Sequence, residues 1–427
     1  MSLGPIFSEM ISTFNTVGTP KVLEYAIALS PIALAFILGD IFWHLWVRFV
    51  RAEQFLGIKY TVLEIRLPKE QVKSPLAMES FLTALHNTSD GNKFAQYWNG
   101  ETRPWYSLEI ISVEGNVKFM IWTEDRRKAG LQAGLFSQFP GIEIYEREDY
   151  SRSLHYDRKT MKMWSCEMKF TKDDHYPIKT YVDYGLDKDP KEEFKVDPLV
   201  PFIEWLGTVG PNQQVWVQIL IQAHKKRKKP GHLFKMHDHW EDGARKAVNE
   251  ILMRDPDSKV AGDPIVDSVG KPTSFTKSPT ISSGEKEIAE AIERSQTKYP
   301  FDVGIRCIYV GKKEFFQKPF GIGGIIGGFK QFGSQHMNGI KPADKWHTRL
   351  DYPWSDFKNI RSHWYAERVL MAYRRRSYFH PPFEGKPLVM NAEELATIYH
   401  FPGATAATPT LERVPSKKAE APSNLPI

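Results

Sequence analysis

The stretch GIGGIIGG at residues 321–328 has the composition of a loop that could cradle a phosphate group. Gly323 and Gly328 have the spacing of the two glycines in a phosphate loop. However, Phe329 stands where such a loop requires lysine, and Lys330 comes one residue late. No serine or threonine follows directly to bind magnesium, and the spacing of a dinucleotide fingerprint also fails. The stretch therefore predicts a glycine-rich helix or turn that packs closely on a neighbour and binds no cofactor.

The segment GHLFKMHDHW contains four candidate metal ligands, His232, His237, Asp238 and His239. A His-x-His pair binds metal when a strand or tight turn fixes it and the fold supplies a third ligand. This segment instead leads into a helical pattern, which favours solvated or capping histidines. The two cysteines are too few for a cysteine-based zinc cluster, and no local spacing suggests a Ser-His-Asp or Cys-His set. We therefore predict no metal site, no catalytic residue and a protein that is not an enzyme.

Two basic clusters are a better indication of binding. HKKRKKPGH places five consecutive cations after a strand, and AYRRRSYFH places three arginines between aromatic residues. Arginine with interleaved aromatic side chains can hold phosphates and stack bases, and the same groups can bind an anionic membrane surface. A solvated surface is the third interpretation, and the mild net charge of +6 does not decide among them. The clustered residues are Lys225, Lys226, Arg227, Lys228, Lys229, Arg374, Arg375 and Arg376.

The strongest signal in the chain is the apolar run YAIALSPIALAFILGDIFWHLWV, from Tyr25 to Val47. A helix of this length spans about 34 Å at about 1.5 Å per residue, against about 30 Å of membrane hydrocarbon. Aromatic residues lie at both ends, and Asp40, which lies off centre, is expected to snorkel or to cap a partner helix. A cleaved signal peptide is the alternative, but residues 1–20 contain no lysine or arginine in front of Lys21. The predicted anchor residues are Tyr25, Pro31, Asp40, Trp43, Trp46, Arg48 and Arg51.

The charges that flank this run predict its orientation. Arg48, Arg51 and Lys59 follow the run and only Lys21 precedes it, and positive charge stays in the cytoplasm. Residues 1–21 are therefore expected outside the membrane, residues 22–50 within it, and the remainder in the cytoplasm. A reducing compartment would keep both cysteines as thiols, which agrees with this single-pass topology.

Residues 55–150 alternate between the periods of strands and helices. KYTVLEIRLP predicts a strand, and SPLAMESFLTALHN predicts a helix capped by Ser74 with Pro75 at its first position. YSLEIISVEGNVKFMIW predicts two strands joined by Gly115-Asn116. RRKAGLQAGLFSQFPG and IEIYERED then supply a second helix and a fourth strand. The order βαββαβ predicts a ferredoxin-like domain, with helices on one face of a four-stranded antiparallel sheet.

Residues 160–390 repeat these elements around a long insertion. The repeat begins with strand MWSCEMKF, helix PLVPFIEWLGTV and the two strands QVWVQILIQ and FDVGIRCIYV. It ends with the glycine-rich stretch as the last helix and HMNGIKP as the last strand. The insertion, about residues 224–298, contains two helices and a Pro/Ser/Gly-rich stretch near 255–284 that predicts a flexible loop. Cys166 and Cys307 fall on inward strand faces as buried thiols. The predicted fold class is α+β, with two tandem ferredoxin-like domains after the membrane helix.

Residues 391–427 begin with a helix and end in a strap with five prolines from Pro402 to Pro426. Asn391 and Glu394 form a capping-box pattern at the start of the helix. The strap lacks the apolar content to fold alone, but an extended segment can bind along a sheet edge or a groove. We expect it to fold back on the second domain or to become ordered by a partner, with a disordered end as the alternative. The residues predicted to dock are Leu395, Tyr399, Phe401, Leu411, Val414, Leu425 and Ile427.

Three segments, GGFKQFGSQHMNGIKP, LVMNAEELATIYHFPG and TPTLERVPSKKAEAPSNLPI, resemble part of a known family. They are similar to the N-terminal part of uncharacterised bacterial relatives of the conjugative type IV secretion ATPases, in the HerA/FtsK-like motor superfamily. The resemblance covers about residues 160–427. In that family a membrane-anchored region precedes such a strap, and a P-loop motor domain follows it. The sequence stops at Ile427, where the motor would begin, so the resemblance implies a separate motor or a shortened chain and transfers no catalytic residue.

The resemblance implies a membrane-anchored, non-catalytic subunit or module that docks a translocation ATPase at the inner membrane. Its partners would be membrane lipid, the motor and further copies of itself, in a hexamer if it follows the motor. One alternative is a membrane-tethered nucleic-acid-binding protein that uses the basic clusters, whose affinity would fall steeply with salt. The other is an enzyme whose site is assembled from distant residues.

Overall fold

The computed structural model of the protein describes residues 19–68, 73–187, 196–228, 236–252, 282–343, 354, 356–357, 360–403 and 413–414. The chain divides into two compact units. The anchor unit consists of Met1–Ile58 and Asp90–Thr102, and the sheet unit of Lys59–Ser89 and Arg103–Ile427.

The helices and strands are numbered separately in chain order. The helices are α1 (Thr19–Gly57), α2 (Pro75–Leu85), α3 (Lys93–Trp98), α4 (Lys128–Gln138), α5 (Tyr150–Ser153), α6 (Val200–Gly207), α7 (His239–Ile251), α8 (Ser283–Gln296), α9 (Lys318–Lys330), α10 (Ile360–Arg374) and α11 (Ala392–Ile398). The strands are β1 (Tyr60–Pro68), β2 (Trp105–Val113), β3 (Asn116–Glu124), β4 (Glu143–Arg147), β5 (Met161–Phe170), β6 (Gln213–Ala223), β7 (Arg227–Lys228), β8 (Met236–His237), β9 (Pro300–Lys312), β10 (Ile340–Pro342), β11 (Leu388–Asn391) and β12 (Arg413–Val414).

The anchor unit consists of α1 and the short helix α3. Helix α1 is 39 residues long and continues through Pro31, and it extends past Arg48 and Arg51 as an uninterrupted helix. Asn92 caps α3 by accepting a hydrogen bond from the Ala95 N–H at 2.8 Å. The predicted membrane span is therefore the greater part of a longer helix.

Within the described residues, ten strands of the sheet unit form one large sheet. Its strand order is β10-β5-β9-β6-β2-β3-β1, with β4 and β12 also paired to β1, and β11 paired to β9. Every pairing is antiparallel except that of β1 with β12. The α+β class is confirmed. Strands β2 and β6 pair from Trp105–Gln222 to Val113–Gln214, so the two predicted domains share a single sheet.

The local signals in the sheet unit are largely confirmed, with one shift. The Ser74 hydroxyl caps α2, and Asn391 and Glu394 form both hydrogen bonds of a capping box on α11. The β2–β3 hairpin turns at Glu114-Gly115, one residue earlier than predicted, because both of these residues have positive φ and Val113 pairs with Asn116.

One face of the sheet carries the main apolar core. Helices α2, α4, α6, α9 and α11 all contribute buried side chains to it. Cys166 and Cys307 face each other across β5 and β9 within this core, as free thiols. Burial raises the pKa of the Cys166 thiol well above its usual value, which disfavours the reactive thiolate.

The glycine-rich stretch forms α9, in which glycine permits close packing. A Cβ atom at Gly321, Gly324 or Gly328 would lie closer than 3.0 Å to the ring of Tyr309, Trp205 or Phe202, respectively. The prediction of a closely packed glycine-rich helix is confirmed.

The insertion contains the β7–β8 hairpin and the two predicted helices, α7 and α8. Ala244, Ala247, Val248 and Ile292 form a second, smaller hydrophobic cluster between these helices. The loop predicted near residues 255–284 lies almost wholly outside the described residues.

Candidate functional site

Aromatic side chains gather where α3 packs against the C-terminal half of α1. The Trp46 indole N–H donates to the Tyr97 carbonyl at 3.1 Å, and the Trp43 ring lies 5.3 Å from Tyr97 and 5.8 Å from Trp98. Phe94 stacks on Trp98 at 5.7 Å, and these two side chains are 63% and 52% exposed. We call Trp43, Trp46, Phe94, Tyr97 and Trp98 the aromatic collar. Its rings are of the kind that favours the boundary between lipid and water.

Large apolar side chains are exposed along α1. Phe36 is 76% exposed, Phe42 64% and Phe49 61%. From Ala28 to Gly57 the helix is apolar enough to span a membrane, and none of its most apolar window is buried. It is the one such helix among the described residues, and a signal sequence near the N-terminus would pass the same test.

The polar members of the predicted anchor lie on the same helix. His44 Nε2 lies 3.6 Å from the Asp40 carboxylate, one turn away, so Asp40 has a neighbour within α1 itself. Arg48 is exposed and Arg51 is half-buried. Tyr25 belongs to α1, but its side chain lies outside the described part of the chain.

The first basic cluster lies at the start of the insertion. Lys226 forms an ion pair with Glu241 of α7, and Lys225 is half-buried. Arg227 and Lys228 form β7, but their side chains and all of Lys229 lie outside the described residues. Binding of lipid or nucleic acid by this cluster stays a prediction.

Arg376, which the sequence placed in a basic patch, is fully buried between two carboxylates. Its Nε donates to Glu109 Oε1 at 3.0 Å and its Nη2 to Glu109 Oε2 at 3.2 Å. The other edge of the guanidinium pairs with Asp149. Burial opposes the charge of Asp149, but Arg376 holds the pKa of that carboxyl below its usual range. Because this guanidinium is already occupied by two carboxylates, the prediction that Arg376 binds lipid or nucleic acid is wrong.

The other two arginines of that cluster differ from each other. Arg374 donates to the backbone carbonyls of Ser151 and Leu154, which ties α10 to the α5 segment. Arg375 is exposed, and its guanidinium lies 5.9 Å from the centre of the Phe383 ring. One exposed arginine does not make the three-residue patch that the sequence predicted.

The Glu109–Arg376 pair belongs to a polar row that crosses the second face of the sheet. Cross-strand pairing aligns Glu109, Gln218, Arg306 and Glu167 on β2, β6, β9 and β5. Arg306 donates to Glu167 at 2.8 Å and to Gln218 at 3.1 Å, and Gln218 donates to Glu109 at 3.2 Å. All four side chains are buried. A buried charge requires a partner of this kind, and cross-strand pairing supplies one to both Arg306 and Glu167.

A second buried cluster joins the insertion to the sheet. His224 Nδ1 lies 2.6 Å from Asp302 and its Nε2 lies 3.2 Å from Asp238. Although burial opposes the imidazolium charge, the two carboxylates raise the pKa of His224 to about 9. Asp238 also caps α7 by accepting hydrogen bonds from the N–H groups of Trp240 and Glu241. Within the described residues no group of three or more His, Cys, Asp and Glu could hold a metal ion; His232 lies outside them.

Leu395, Tyr399 and Phe401, which the sequence assigned to a docking tail, lie in the core. The Phe401 ring lies 4.9 Å from Phe139 and 5.5 Å from Phe119. Side chains buried in this way are not available to a partner, so the docking prediction is wrong for these three residues.

The later part of the tail is described only at β12. The backbone of Val414 pairs with Pro68 of β1, so this segment returns to the first predicted domain and not to the second. Leu411, Leu425 and Ile427 lie outside the described residues.

Two features of these sites were missed from the sequence. The first is the contact of Trp43 and Trp46 with α3. Phe94 and Trp98, four residues apart, could have indicated an aromatic face on this helix. The second is the polar row, although Glu109, Gln218 and Arg306 each interrupt an apolar strand at its middle. A charged residue within a buried strand indicates a buried partner, and the sequence alone does not identify which one.

These observations define an α+β protein with one large antiparallel sheet and an N-terminal helix apolar enough to span a membrane. Residues 52–413 match the family described as "Domain of unknown function (DUF8128)". This match covers most of the chain, so the chain belongs to that family. No curated protein matches the sequence.

Proposed function

We propose that the protein is a membrane-anchored, non-catalytic docking subunit, with α1 spanning the inner membrane and the sheet unit in the cytoplasm. The observation that carries this proposal is the exposure of large apolar side chains along α1, which would be unfavourable in water. Lipid would cover these side chains, and Arg48 and Arg51 would remain on the cytoplasmic side.

The aromatic collar supports an anchor that is retained rather than cleaved. One hydrogen bond and two ring contacts join α3 to α1 at this point, and a third ring contact lies within α3. A helix that is removed as a signal peptide has no need of a folded partner from residues 90–102. We therefore propose that Phe94 and Trp98 rest in the membrane interface beside Trp43 and Trp46.

The strand order supports a scaffold built from two ferredoxin-like units. The orders β4-β1-β3-β2 and β10-β5-β9-β6 are both those of a split βαβ arrangement, and β2 joins β6 at the centre. The buried row of paired charges supports a structural role for the ionisable groups at this centre. Because Arg376 is occupied internally, nucleic-acid binding is the weaker proposal.

The partner that we propose is a P-loop translocation ATPase, as the resemblance to the type IV secretion relatives implies. We place the docking contact in residues 415–427, beyond β12, because Leu395, Tyr399 and Phe401 are engaged in the core. The assembly would be a homo-oligomer that matches the symmetry of the motor.

The anchor is tested by the mass and membrane retention of the full-length protein. We expect an uncleaved chain of 49.2 kDa that resists alkaline carbonate extraction, with a C-terminal reporter that behaves as cytoplasmic. Leu34→Arg combined with Ile37→Arg should release the chain, because each buried charge costs about 3 kcal/mol at the centre of the membrane. Leu56→Arg, near the end of α1, is the matched control and should leave the chain in the membrane. A shortened mature chain would identify a signal peptide and contradict the anchor.

The partner is tested by affinity purification of the full-length chain in mild detergent. We expect a P-loop motor ATPase to co-purify with the full-length chain and to be lost when the chain ends at Val414. The thermal stability of the two proteins should be equal. Retention of the motor by the shorter chain would move the docking contact to the sheet unit, and absence of any motor would contradict the proposed function.

A further inference from the structure

A cleft of about 270 Å³ in the sheet unit is lined by three lysines and by apolar side chains. The lysines are Lys162, Lys313 and Lys318, and no carboxylate is among the described residues that line the cleft. Met163, Trp164, Phe316 and His363 also line it. This cleft lies apart from the buried polar row and from the basic clusters recognised in the sequence.

The fold holds the three lysines on neighbouring elements. Lys162 lies on β5 opposite Gly311 of β9, and Lys313 follows directly after β9. The Lys313 N–H donates to the Thr160 carbonyl at 2.9 Å, which closes the ends of these two strands. Lys318 is the first residue of α9. The positions of these charges are therefore set by regular structure rather than by a loose loop.

The local electrostatic balance is positive. Lys162 and Lys313 form no ion pair with any other described residue. Three carboxylates lie close by and accept hydrogen bonds from other groups. Glu367 pairs with Arg158 at 2.8 Å, and Asp356 accepts from the N–H groups of Arg361 and Ser362. Asp157, which is within electrostatic reach of Lys313, accepts from the Lys159 N–H and the Thr160 hydroxyl.

The pKa of His363 depends on these surrounding charges. Its Nδ1 lies 3.0 Å from the Tyr156 hydroxyl. Burial lowers the pKa of His363, and the charges of Arg158 and Lys313 lower it further, against the opposing effect of Asp356 and Glu367. A bound anion would reverse part of this shift and raise the pKa of His363.

We propose that this cleft binds a small organic phosphate, with the phosphate among Lys162, Lys313 and Lys318 and the apolar part against Phe316 and Met163. Lysine is a compact point charge suited to phosphate, and three lysines around one small cleft match a doubly charged group. The volume is at the lower end of ligand pockets, which favours a ligand of one ring or a short chain. Phe316 is already fixed for stacking by its contact with Tyr309 at 4.6 Å. Two sources share this chemistry, a soluble phosphate monoester and the headgroup of an anionic phospholipid.

The test uses phenyl phosphate as the probe and the full-length chain in nanodiscs of phosphatidylcholine, with heat of binding as the measurement. We expect saturable binding that is stronger than that of inorganic phosphate. Lys313→Gln and Lys162→Gln should each weaken it about tenfold, or about 1.4 kcal/mol, since each removes one positive charge from beside the phosphate. Lys341→Gln removes an exposed lysine of β10 outside the cleft and should change nothing. Phenyl phosphate should also raise the pKa of His363 in the NMR spectrum of histidine-labelled protein.

Nanodiscs of phosphatidylglycerol distinguish the two sources. If a lipid headgroup occupies the cleft, phenyl phosphate will bind more weakly in these nanodiscs than in phosphatidylcholine, and Lys313→Gln will abolish that difference. Equal binding in the two lipids will identify a soluble phosphate as the ligand. The proposal is overturned if phenyl phosphate fails to bind in phosphatidylcholine, or if the lysine variants bind it as well as the unaltered chain. Neither outcome depends on the motor partner.

Discussion

Helix α9 offers a sharp test of the packing that holds the sheet unit together. One edge of the helix carries Gly321, Gly324 and Gly328 against aromatic rings, while Gly323 and Gly327 have no neighbouring atom within 4 Å of a built Cβ. The same substitution, glycine to alanine, therefore meets opposite environments at adjacent positions of one helix. Gly324→Ala directs its methyl group into the Trp205 indole, and Gly323→Ala directs it into open space.

The expected magnitudes follow from these two environments. Gly323→Ala should stabilise the protein by about 0.5–1 kcal/mol, because alanine loses less backbone entropy than glycine in a helix. Gly324→Ala gains the same term but forces α9 away from α6. Overpacking of this kind costs about 1–3 kcal/mol and occasionally more. Because the alanine term is common to both variants, the difference in their unfolding free energies should equal the overpacking cost, about 1–3 kcal/mol.

Thermal unfolding of the full-length chain in neutral detergent, followed by circular dichroism, measures this difference. We expect the midpoint of Gly324→Ala to lie roughly 1–4 °C below that of Gly323→Ala, because the unfolding entropy of a unit of this size is large. Adding Trp205→Leu to Gly324→Ala should recover part of the loss, and a double-mutant cycle gives the coupling. Equal midpoints for the two glycine variants would refute the close contact of α9 with Trp205.

Two further predictions concern the buried charges. Arg376→Met should destabilise the chain by about 3–5 kcal/mol, because it leaves Glu109 and Asp149 buried without their cation. The control Arg375→Met, at an exposed position, should change stability by no more than about 0.5 kcal/mol. Equal losses of stability for the two variants in denaturant titrations would contradict the buried ion pair. The His224 pKa of about 9 lies above the ordinary value of about 6.5, so its contribution to stability is fully present below pH ~6.5 and is lost as the pH rises through 9. His224→Gln should therefore remove about 3 kcal/mol of pH-dependent unfolding free energy over this window. The control His155→Gln, at an exposed position, should preserve the pH dependence. An unchanged dependence of unfolding free energy on pH in His224→Gln would show that Asp238 and Asp302 do not hold the imidazole.

Features that depend on short stretches of chain were predictable from the sequence. The apolar run from Tyr25 to Val47 belongs to one helix, and the caps at Ser74 and Asn391 form as their spacing indicates. The glycine-rich stretch forms a closely packed helix, as its composition indicates. Each of these outcomes depends on residues within a few positions of each other, and periodicity reports such relations directly.

The burial and the contact partners of Arg376 and of residues 395–401 were decided by the tertiary structure. Arg376 finds Glu109 across 267 positions of the chain, and Tyr399 donates to a carbonyl 279 positions away. An arginine between aromatic residues has the same local pattern whether it binds an external phosphate or an internal carboxylate, and an apolar helix has the same pattern on a partner or in its own core. The sequence by itself determined which segments are helices, strands and apolar, because those properties are local. Long-range pairing decided which polar groups face inward as pairs, because a buried charge is tolerated only where the fold brings its counter-charge. Long-range pairing also decided that the two sets of strands join at β2 and β6.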